Sequence, residues 1–541
     1  MRTLNFRNIR NIALAGVISL SAASCDHDLD IEPKYDVVSA NVYRDFANYK
    51  PILAKMYAGY AVTGQQGPAG RPDISGIDEG FSNYLRQYWQ AQELSTDEAI
   101  IAWNDGNLRD LHDMDWTPAN EFLRALYNRI FYQVSLTNEF IRETQDGLLS
   151  ERGITGANLE EAKRFRAEAR FLRALSYWHA LDLYGNVPFV TETDRVGSFL
   201  PEQTMRAELF SYVESELLAI ENELGEPGFE YGRADKAAAW TLLAKLYLNA
   251  EVYTGQGKYA EAVTYSKKVI DSGRFQLEAE YGHLFLADNH TSSEIIFPIT
   301  FDGMRTTTWG GMTYLVHAPV GGSMSAAAFG INGGWGGLRT TKNIVELFPS
   351  TNATPDERAM FHTDGQSLEI GDIFTFTEGY PITKYKNVNR AGQAGSDPSG
   401  NHPDTDFPMF RLADVYLMYA EAVLRGGGGS VADALGYVNQ LRRRAYTDAA
   451  GNVRNNGGAI SQGQLTLDFI INERARELKW EGHRRTDLIR FNRFTSATYV
   501  WPWKGGDPEG RGVEEFRRLY PIPTTDLTAN PNLTQNPGYT R

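Results

Sequence analysis

Three tryptophans are the residues best suited to contact a ligand, because they lie outside any apolar pattern. A flat, exposed indole ring can stack on a ligand. Glycine has no side chain that could cover a neighbouring ring, so the tryptophan between two glycine pairs is expected at the surface. For any single tryptophan the alternative is packing in the core. The three segments are Trp103-Asn104-Asp105-Gly106-Asn107, Trp309-Gly310-Gly311 and Gly333-Gly334-Trp335-Gly336-Gly337.

Motifs for catalysis or for cofactor binding are absent from the sequence. It contains no Walker loop, no Gly-x-Ser-x-Gly elbow and no Rossmann fingerprint, and its histidines show no HExxH or other metal-ligand spacing. Asp288-Asn289 and Asp404-Thr405-Asp406 leave open a structural calcium ion, but no EF-hand spacing supports one. We therefore expect no cofactor, and we assign no calcium site.

The composition excludes several classes of protein. The chain has 541 residues and a formal net charge of -15, which disfavours nucleic acid and anionic lipid as partners. Apolar residues make up 42% and charged residues 22%, as in an ordinary globular protein. The single cysteine rules out a disulfide framework and any cysteine-rich zinc or iron–sulfur site.

Residues 1–24 have the pattern of a lipoprotein signal peptide. A basic start is followed by an apolar run from Ile12 to Leu20 and by small residues that lead to Cys25. The run is shorter than the roughly 20 apolar residues that span a bilayer. The pattern resembles a lipobox, in which Cys25 is lipidated and residues 25–40 form a tether. The alternative is an incidental cysteine after a secretory signal.

Amphipathic helices must position the candidate residues. Apolar side chains recur at three- and four-residue spacing and predict helices over 46–62, 118–147, 158–184 and 465–481. Two further helix pairs resemble tetratricopeptide units, because small residues such as Ala238 and Ala262 let paired helices approach closely. These pairs are 234–253 with 259–272, and 410–425 with 431–443.

The region 300–407, together with 64–110, differs from the helical segments in composition. Glycines, threonines and aromatics crowd together, and only one short helix is predicted in 300–407, over 342–348. We expect a mainly α fold with a single body over 41–541. In it, tetratricopeptide-like helix pairs form a scaffold, and a loop-rich region with short strands carries the binding site. The scaffold spans about 41–299 and 408–541.

Several ordered blocks resemble the SusD (RagB/SusD) family of surface glycan-binding outer-membrane lipoproteins. They extend over essentially the whole chain, and four stretches, 76–80, 96–98, 309–316 and 501–506, are most similar to the starch-binding branch. The resemblance implies a non-catalytic protein that presents glycan to a SusC-like TonB-dependent transporter. The blocks are 169–174, Tyr184-Gly185-Asn186-Val187-Pro188, 233–237, 247–250, Glu481-Gly482-His483-Arg484-Arg485 with 486–488, 520–523 and 535–539.

The resemblance also implies a binding site. The starch-binding branch has an arc of three aromatics, and the matching positions here are Trp103, Trp309 and Trp335. Such an arc suits the curvature of an α-1,4-glucan, whereas a flat platform suits an extended β-glucan. Asp78 and Arg86 are the matching polar residues, a carboxylate that accepts hydrogen bonds and a guanidinium that donates a forked pair. The alternative is an Asp–Arg ion pair that closes the glycine-rich loop.

Three positions depart from the branch. Gly106 stands where the branch has asparagine, so Asn104 or Asn107 would have to supply the polar contact. Trp309 replaces a tyrosine, which keeps the stacking surface and loses a hydroxyl. Ile101 replaces a tryptophan. The arc is therefore retained while its polar rim has changed, which bears on chain length and linkage.

The expected ligand is a starch-like α-glucan or malto-oligosaccharide. An α-1,6-linked or β-linked glucan, or a fructan, is the alternative within the same class of function. A helical glycoside hydrolase is an alternative of another class, since carboxylates near Trp103 are available as an acid and base pair. Those carboxylates are Asp78, Glu79, Asp97, Glu98 and Asp105. A tetratricopeptide adaptor that carries only protein cargo is a further alternative.

Overall fold

The computed structural model describes residues 42–68, 70–194, 197, 199–349 and 355–540. The predicted signal peptide, the lipidation site at Cys25 and the tether up to residue 40 lie outside these residues. The chain divides into two units, Met1–Tyr49 and Lys50–Arg541. In the first, the Asp45 carboxylate accepts a hydrogen bond from the Ala47 N–H and caps a 3₁₀ helix, Phe46–Asn48.

The described residues are mainly helical, as the sequence predicts. None of these helices has both the length and the apolar character needed to cross a bilayer. In chain order they are α1 (Tyr49–Ala61), α2 (Tyr84–Glu93), α3 (Asp110–Asp113), α4 (Glu121–Glu143), α5 (Asp146–Glu151), α6 (Ala157–Leu183), α7 (Arg206–Ile220), α8 (Lys236–Leu248), α9 (Ala250–Thr254), α10 (Tyr259–Asp271), α11 (Gly311–His317), α12 (Lys342–Val345), α13 (Leu412–Leu424), α14 (Val431–Ala445), α15 (Leu467–Leu478), α16 (Arg484–Arg490) and α17 (Thr524–Ala529).

Packed helix pairs form the scaffold. α4 packs on α6 and α6 on α7, while α8 packs on α10, α10 on α13 and α13 on α14. The two predicted tetratricopeptide-like pairs, α8 with α10 and α13 with α14, are confirmed. Ala238 and Ala262 are fully buried at the first of them, where a larger side chain would hold the helices apart.

Two helices are followed by residues with a positive φ, a backbone conformation that most residues rarely adopt. α6 ends before Gly185, which has φ +73° and donates its N–H to the Ala180 carbonyl at 3.0 Å. The helix predicted over 465–481 is shorter than expected and ends at Leu478. Lys479 leaves helical geometry, and Trp480 takes φ +62° while its N–H donates to the Glu98 carboxylate at 2.8 Å.

Two buried helices of the loop-rich region were not predicted. The expectation of a single helix in 300–407, over 342–348, is wrong, because α11 also lies there and α12 covers only Lys342–Val345. α2 lies in the 64–110 region. Every residue of α2 and of α11 is buried, and both are short helices that follow glycine-rich segments, which favour loops in the sequence.

Short strands in the described residues form three two-stranded antiparallel sheets. In chain order they are β1 (Ile100–Ile101), β2 (Val187–Pro188), β3 (Gln203–Thr204), β4 (Ile295–Ile299), β5 (Leu338–Arg339) and β6 (Phe407–Arg411). β1 pairs with β5, β2 with β3, and β4 with β6. The β1–β5 pair sets Ile100 opposite Arg339, and it joins two segments that carry candidate site residues.

Candidate functional site

The structure brings the three candidate tryptophans together. Trp335 lies in the middle, with its ring centroid 6.2 Å from that of Trp103 and 6.4 Å from that of Trp309. The ring planes are tilted by 46° and 58°, so the three rings do not form one flat surface. All three side chains are half-buried. We call Trp103, Trp309 and Trp335 the tryptophan arc.

Helix α11 holds two members of the arc. Trp309 lies two residues before the helix begins. The Trp335 N–H donates to the carbonyl of His317, the last residue of α11, at 2.9 Å. The Gly337 and Leu338 N–H groups both donate to the Ala318 carbonyl, at 2.7 and 2.9 Å. The unpredicted helix therefore fixes the spacing between Trp309 and Trp335.

The β1–β5 pair holds Trp103 against the same segment. The Ala102 N–H donates to the Gly337 carbonyl at 2.9 Å, and the Trp103 indole N–H donates to the Trp335 carbonyl at 3.2 Å. A Cβ on Gly337 would lie 2.5 Å from the Trp103 ring, so only glycine permits this contact. The glycines beside Trp335 thus serve close packing, and Trp335 is half-buried where the sequence suggests an exposed ring.

Two histidines cover part of the arc. The His317 ring stacks on Trp335 with centroids 4.9 Å apart and planes 25° apart, and His402 lies 5.2 Å from Trp309. His317 lies between two carbonyls, with Nδ1 2.7 Å from that of Gly333 and Nε2 2.8 Å from that of Asn401. Burial lowers the pKa of His317, and these two carbonyls oppose the shift.

Arg86 lies beside the arc without a carboxylate partner in the described residues. It belongs to α2 and is 9% exposed, and its guanidinium carbon is 4.6 Å from the Tyr314 ring centroid and 5.9 Å from that of Trp103. One terminal nitrogen donates to the Gly80 carbonyl at 3.4 Å, while its Nε is buried with no partner in the described chain. Burial lowers the pKa of Arg86, and Tyr314 and Asp105 oppose the shift.

Tyr314 and the two histidines are site residues that the sequence reasoning missed. Tyr314 contacts both Arg86 and Trp103, the latter at a centroid distance of 5.9 Å. Tyr314 and His317 are three residues apart on α11, and this spacing would have placed both on one face had the helix been predicted.

Asp78 is exposed and belongs to the glycine-rich loop that precedes α2. One of its carboxylate oxygens accepts a hydrogen bond from the Phe81 N–H at 2.9 Å. In the described part of the chain no salt bridge joins Asp78 to Arg86, although the Asp78 charge acts to raise the pKa of Arg86. Partial burial, and then the neighbouring Asp78 charge, raise the pKa of Glu79.

The two asparagines near Trp103 differ in their surroundings. Asn104 is exposed, whereas the Asn107 side chain accepts from the Glu121 N–H at 3.1 Å and donates to the Ala119 carbonyl at 3.5 Å. Gly106 has φ +48°, and a Cβ there would lie 1.9 Å from a carboxylate oxygen of Glu121. The Glu121 carboxylate therefore occupies the space where a side chain at position 106 would begin.

The comparisons with known proteins give the family. The SusD family model matches residues 371–539. The starch-binding protein SusD of Bacteroides thetaiotaomicron is 36% identical over 588 aligned residues, which cover 100% of both chains. The chain belongs to the SusD family. Within it, SusD-like protein P2 of Formosa agariphila is 27% identical over 80% of this chain and 84% of its own length.

Solved structures share the SusD fold. Surface glycan-binding protein A from Bacteroides thetaiotaomicron, in complex with laminarihexaose, has a TM-score of 0.67 at 20% identity, over 91% of this chain and 99% of that one. Surface glycan-binding protein A from Bacteroides fluxus has a TM-score of 0.68 at 20% identity, with the same coverage of both chains. At this level of identity the likeness concerns the fold.

Two of the carboxylates considered for hydrolysis hold the core of this SusD family member. Asp97 is fully buried and accepts two hydrogen bonds of 2.7 Å from Arg484 and one of 2.6 Å from the Tyr499 hydroxyl. Glu98 is buried as well and accepts from the Trp480 N–H at 2.8 Å. Neither carboxylate is free to act on a substrate at the arc.

The carboxylates considered for calcium are engaged with loop backbone. Asp404 accepts from the Gly303 N–H at 2.7 Å and the Ser396 N–H at 2.6 Å. Asp406 accepts from the Phe301 N–H at 2.7 Å. Over the described residues, no group of three or more histidine, cysteine, aspartate or glutamate side chains is placed to hold a metal ion.

Proposed function

We propose that this SusD family protein binds a starch-like α-glucan on the tryptophan arc. The observation that carries the proposal is the convergence of three half-buried indoles whose planes are tilted by 46° and 58°. The C–H face of a sugar ring stacks on an indole, and successive tilted rings follow the curvature of an α-1,4-linked chain. The 36% identical relative named starch-binding protein SusD supports this substrate class.

Polar groups at the rim would bind the sugar hydroxyls. The Arg86 guanidinium is a donor, since it makes a single hydrogen bond of 3.4 Å in the described chain, and the Asp78 carboxylate accepts one N–H and retains lone pairs for hydroxyls. Asn104 is exposed and can supply the amide that Gly106 lacks, and the Glu121 carboxylate beside Gly106 is a second polar group in this place. Asn107 contributes by holding the loop on α4.

The protein would hold the glycan without hydrolysing it and deliver it to a SusC-like TonB-dependent transporter. Lipidation at Cys25 would anchor it to the outer membrane, exposed at the cell surface. The engagement of Asp97 and Glu98 in the core supports a non-catalytic role, because it removes two of the five candidate carboxylates. A β-glucan is the second candidate ligand, since a solved structural neighbour holds laminarihexaose.

Affinity electrophoresis tests the substrate class directly. Native gels cast with amylopectin, dextran, laminarin or levan would be run with the purified protein and with a non-binding reference protein. We expect amylopectin to retard the protein most. Retardation by laminarin with none by amylopectin would overturn the α-glucan assignment. Release of reducing ends from maltoheptaose would overturn the non-catalytic role.

A further inference from the structure

Phe374 is an exposed aromatic close to the loop that carries Trp103. Among the described residues of 300–407, the large apolar side chains that stay exposed are Met304 and Phe374, at 59% and 37%. The guanidinium carbon of Arg109 lies 5.5 Å from the Phe374 ring centroid. An exposed ring beside an arginine has the same elements as the arc, where Arg86 lies beside Trp103.

Arg339 fixes Phe374 relative to the arc. Its guanidinium is fully buried and donates to the Gly337 carbonyl at 3.1 Å, next to the Trp335 segment. It also donates to the carbonyls of Ile373 and Thr375, at 2.8 and 3.2 Å, on either side of Phe374. One buried side chain thus ties both segments together. Such preorganisation lowers the entropic cost of binding.

Phe376 bridges the remaining space between the two segments. A Cβ on Gly336 would lie 3.8 Å from the Phe376 ring, so this ring covers the residue that follows Trp335. The Asp372 carboxylate accepts from the Phe374 N–H at 3.0 Å and from the Thr375 hydroxyl at 3.0 Å, which orders the turn. Phe376 therefore packs on the segment that carries Trp335, and Phe374 lies two residues before it in the chain.

We infer that Phe374 and Arg109 form a further glycan subsite that extends the tryptophan arc. Phe374 offers a ring for stacking. The Arg109 Nε is held by the Asp113 carboxylate at 2.8 Å, while its terminal nitrogens have no hydrogen-bond partner in the described chain and can donate to hydroxyls. The inference rests on the proposed function, because it concerns the same ligand. It adds that longer oligosaccharides reach a ring that short ones do not.

A chain-length comparison tests the subsite. Calorimetric titrations with maltotriose and with maltoheptaose would compare the parent protein with Phe374→Ala and Phe374→Leu. We expect both variants to bind maltoheptaose about threefold to tenfold more weakly, because neither has a ring on which a sugar can stack, and to bind maltotriose like the parent. Leucine keeps apolar character without a flat ring, so it separates stacking from simple burial.

Phe229→Ala is the matched control. Phe229 is also exposed, at 44%, and it also lies beside an arginine, Arg164, at 4.9 Å. We expect it to bind both oligosaccharides like the parent. An unchanged maltoheptaose affinity in Phe374→Ala, or an equal loss for maltotriose, would overturn the subsite while the arc could still bind. A parent that binds neither oligosaccharide would overturn the proposed function as well.

Discussion

The helical scaffold and the tryptophan arc both bury arginine, and they satisfy it in opposite ways. Arg411 is 1% exposed and donates to the carboxylates of Glu294, Glu477 and Glu481 at 2.6–2.8 Å. Arg86 is 9% exposed and lies against aromatic rings, with one long hydrogen bond to a backbone carbonyl. We call a buried arginine saturated when all its nitrogens donate hydrogen bonds within the protein, and unsaturated when they do not. The saturated arginine supports the fold, whereas the unsaturated one, beside half-buried rings, is available to a ligand.

The saturated arginine belongs to a buried ionic cluster. The cluster joins the loop-rich region to β4, β6 and α15, which keeps the loops in place over the scaffold. Burial raises the pKa of Glu473, but Arg358, Arg476 and Arg442 outweigh it and lower this pKa to about 2. Its buried members are Asp356, Glu294, Glu473, Glu477 and Glu481 with Arg358, Lys384, Arg411 and Arg444, and Arg442 and Arg476 also pair with Glu473.

The largest effect is expected from removing the saturated arginine. Arg411→Met leaves Glu481 without its main cation and removes one of the three arginines that pair with Glu477, so it should lower the free energy of unfolding by about 3–5 kcal/mol. Urea denaturation measures this. Arg443→Met, on the exposed face of α14, is the control and should stay within about 0.5 kcal/mol of the parent. Equal stabilities of the two variants would show that the cluster does not support the fold.

A pH effect should also appear in the scaffold. Burial raises the pKa of Glu98 from 4.5 to about 7, and burial, then the nearby Glu98 carboxyl, raise the pKa of Glu93. Groups with raised folded pKa values contribute stability that is present below the unfolded pKa and lost as pH rises through the folded one. Unfolding free energy should therefore fall as pH rises from about 4.5 through 7, by about 3 kcal/mol from Glu98, and Glu93 adds to the fall.

Glu93→Gln isolates that contribution. Its amide oxygen can still accept from the Gly482 N–H, while the shared titration of the two carboxyls is removed. Urea denaturation at pH 5 and pH 8 should show a smaller loss of stability in the variant than in the parent. The same loss in both proteins would contradict the assignment of this pH dependence to the pair.

Arg86→Met tests whether the unsaturated arginine serves ligand binding and not stability. It should weaken maltoheptaose binding by about 1.5–3 kcal/mol, because a charged donor to the sugar is removed. Its unfolding free energy should be unchanged or higher, because an apolar side chain of similar volume replaces a buried, poorly paired charge. Calorimetric titration and urea denaturation measure the two quantities. A stability loss like that of Arg411→Met would mean that the two arginines do not differ in role.

Single substitutions in the arc should have the smallest of these effects. Trp103→Ala, Trp309→Ala and Trp335→Ala should each weaken maltoheptaose binding by about 1 kcal/mol, because each removes stacking area. Trp335→Ala should weaken it most, because this ring neighbours both others. Calorimetric titration checks the order. A larger loss in Trp309→Ala than in Trp335→Ala would place the sugar off the centre of the arc.

The sequence predicted the longer helices of the scaffold and missed two short helices of the loop-rich region. α4, α6 and the pairs built from α8, α10, α13 and α14 have 13 to 27 residues each, and the structure confirms them. α2 and α11 have only 10 and 7 residues, and each follows a glycine-rich segment that favours a loop. These two helices position Arg86, Tyr314 and two of the tryptophans. The missed elements are therefore the ones that build the site.

The candidate site residues were found through a family resemblance, and their geometry needed the structure. Glycines around Trp335 suggested an exposed ring, yet Gly337 serves the close packing against Trp103 and His317 stacks on Trp335. The sequence does not distinguish Asn107 from Asn104 as a ligand contact, but in the structure the Asn107 side-chain oxygen accepts a hydrogen bond from the Glu121 N–H of α4. The hydrogen-bond partner of a polar side chain can come from a segment far away in the sequence, so local spacing does not reveal it.

The most direct test of the central claim is amylopectin binding by a triple variant in which Trp103, Trp309 and Trp335 are all alanine. Affinity electrophoresis would compare it with the parent after circular dichroism has shown that both are folded. The proposal predicts that amylopectin no longer retards the variant. A folded triple variant that amylopectin retards as strongly as the parent would contradict the assignment of the arc, and would favour a scaffold whose cargo is protein.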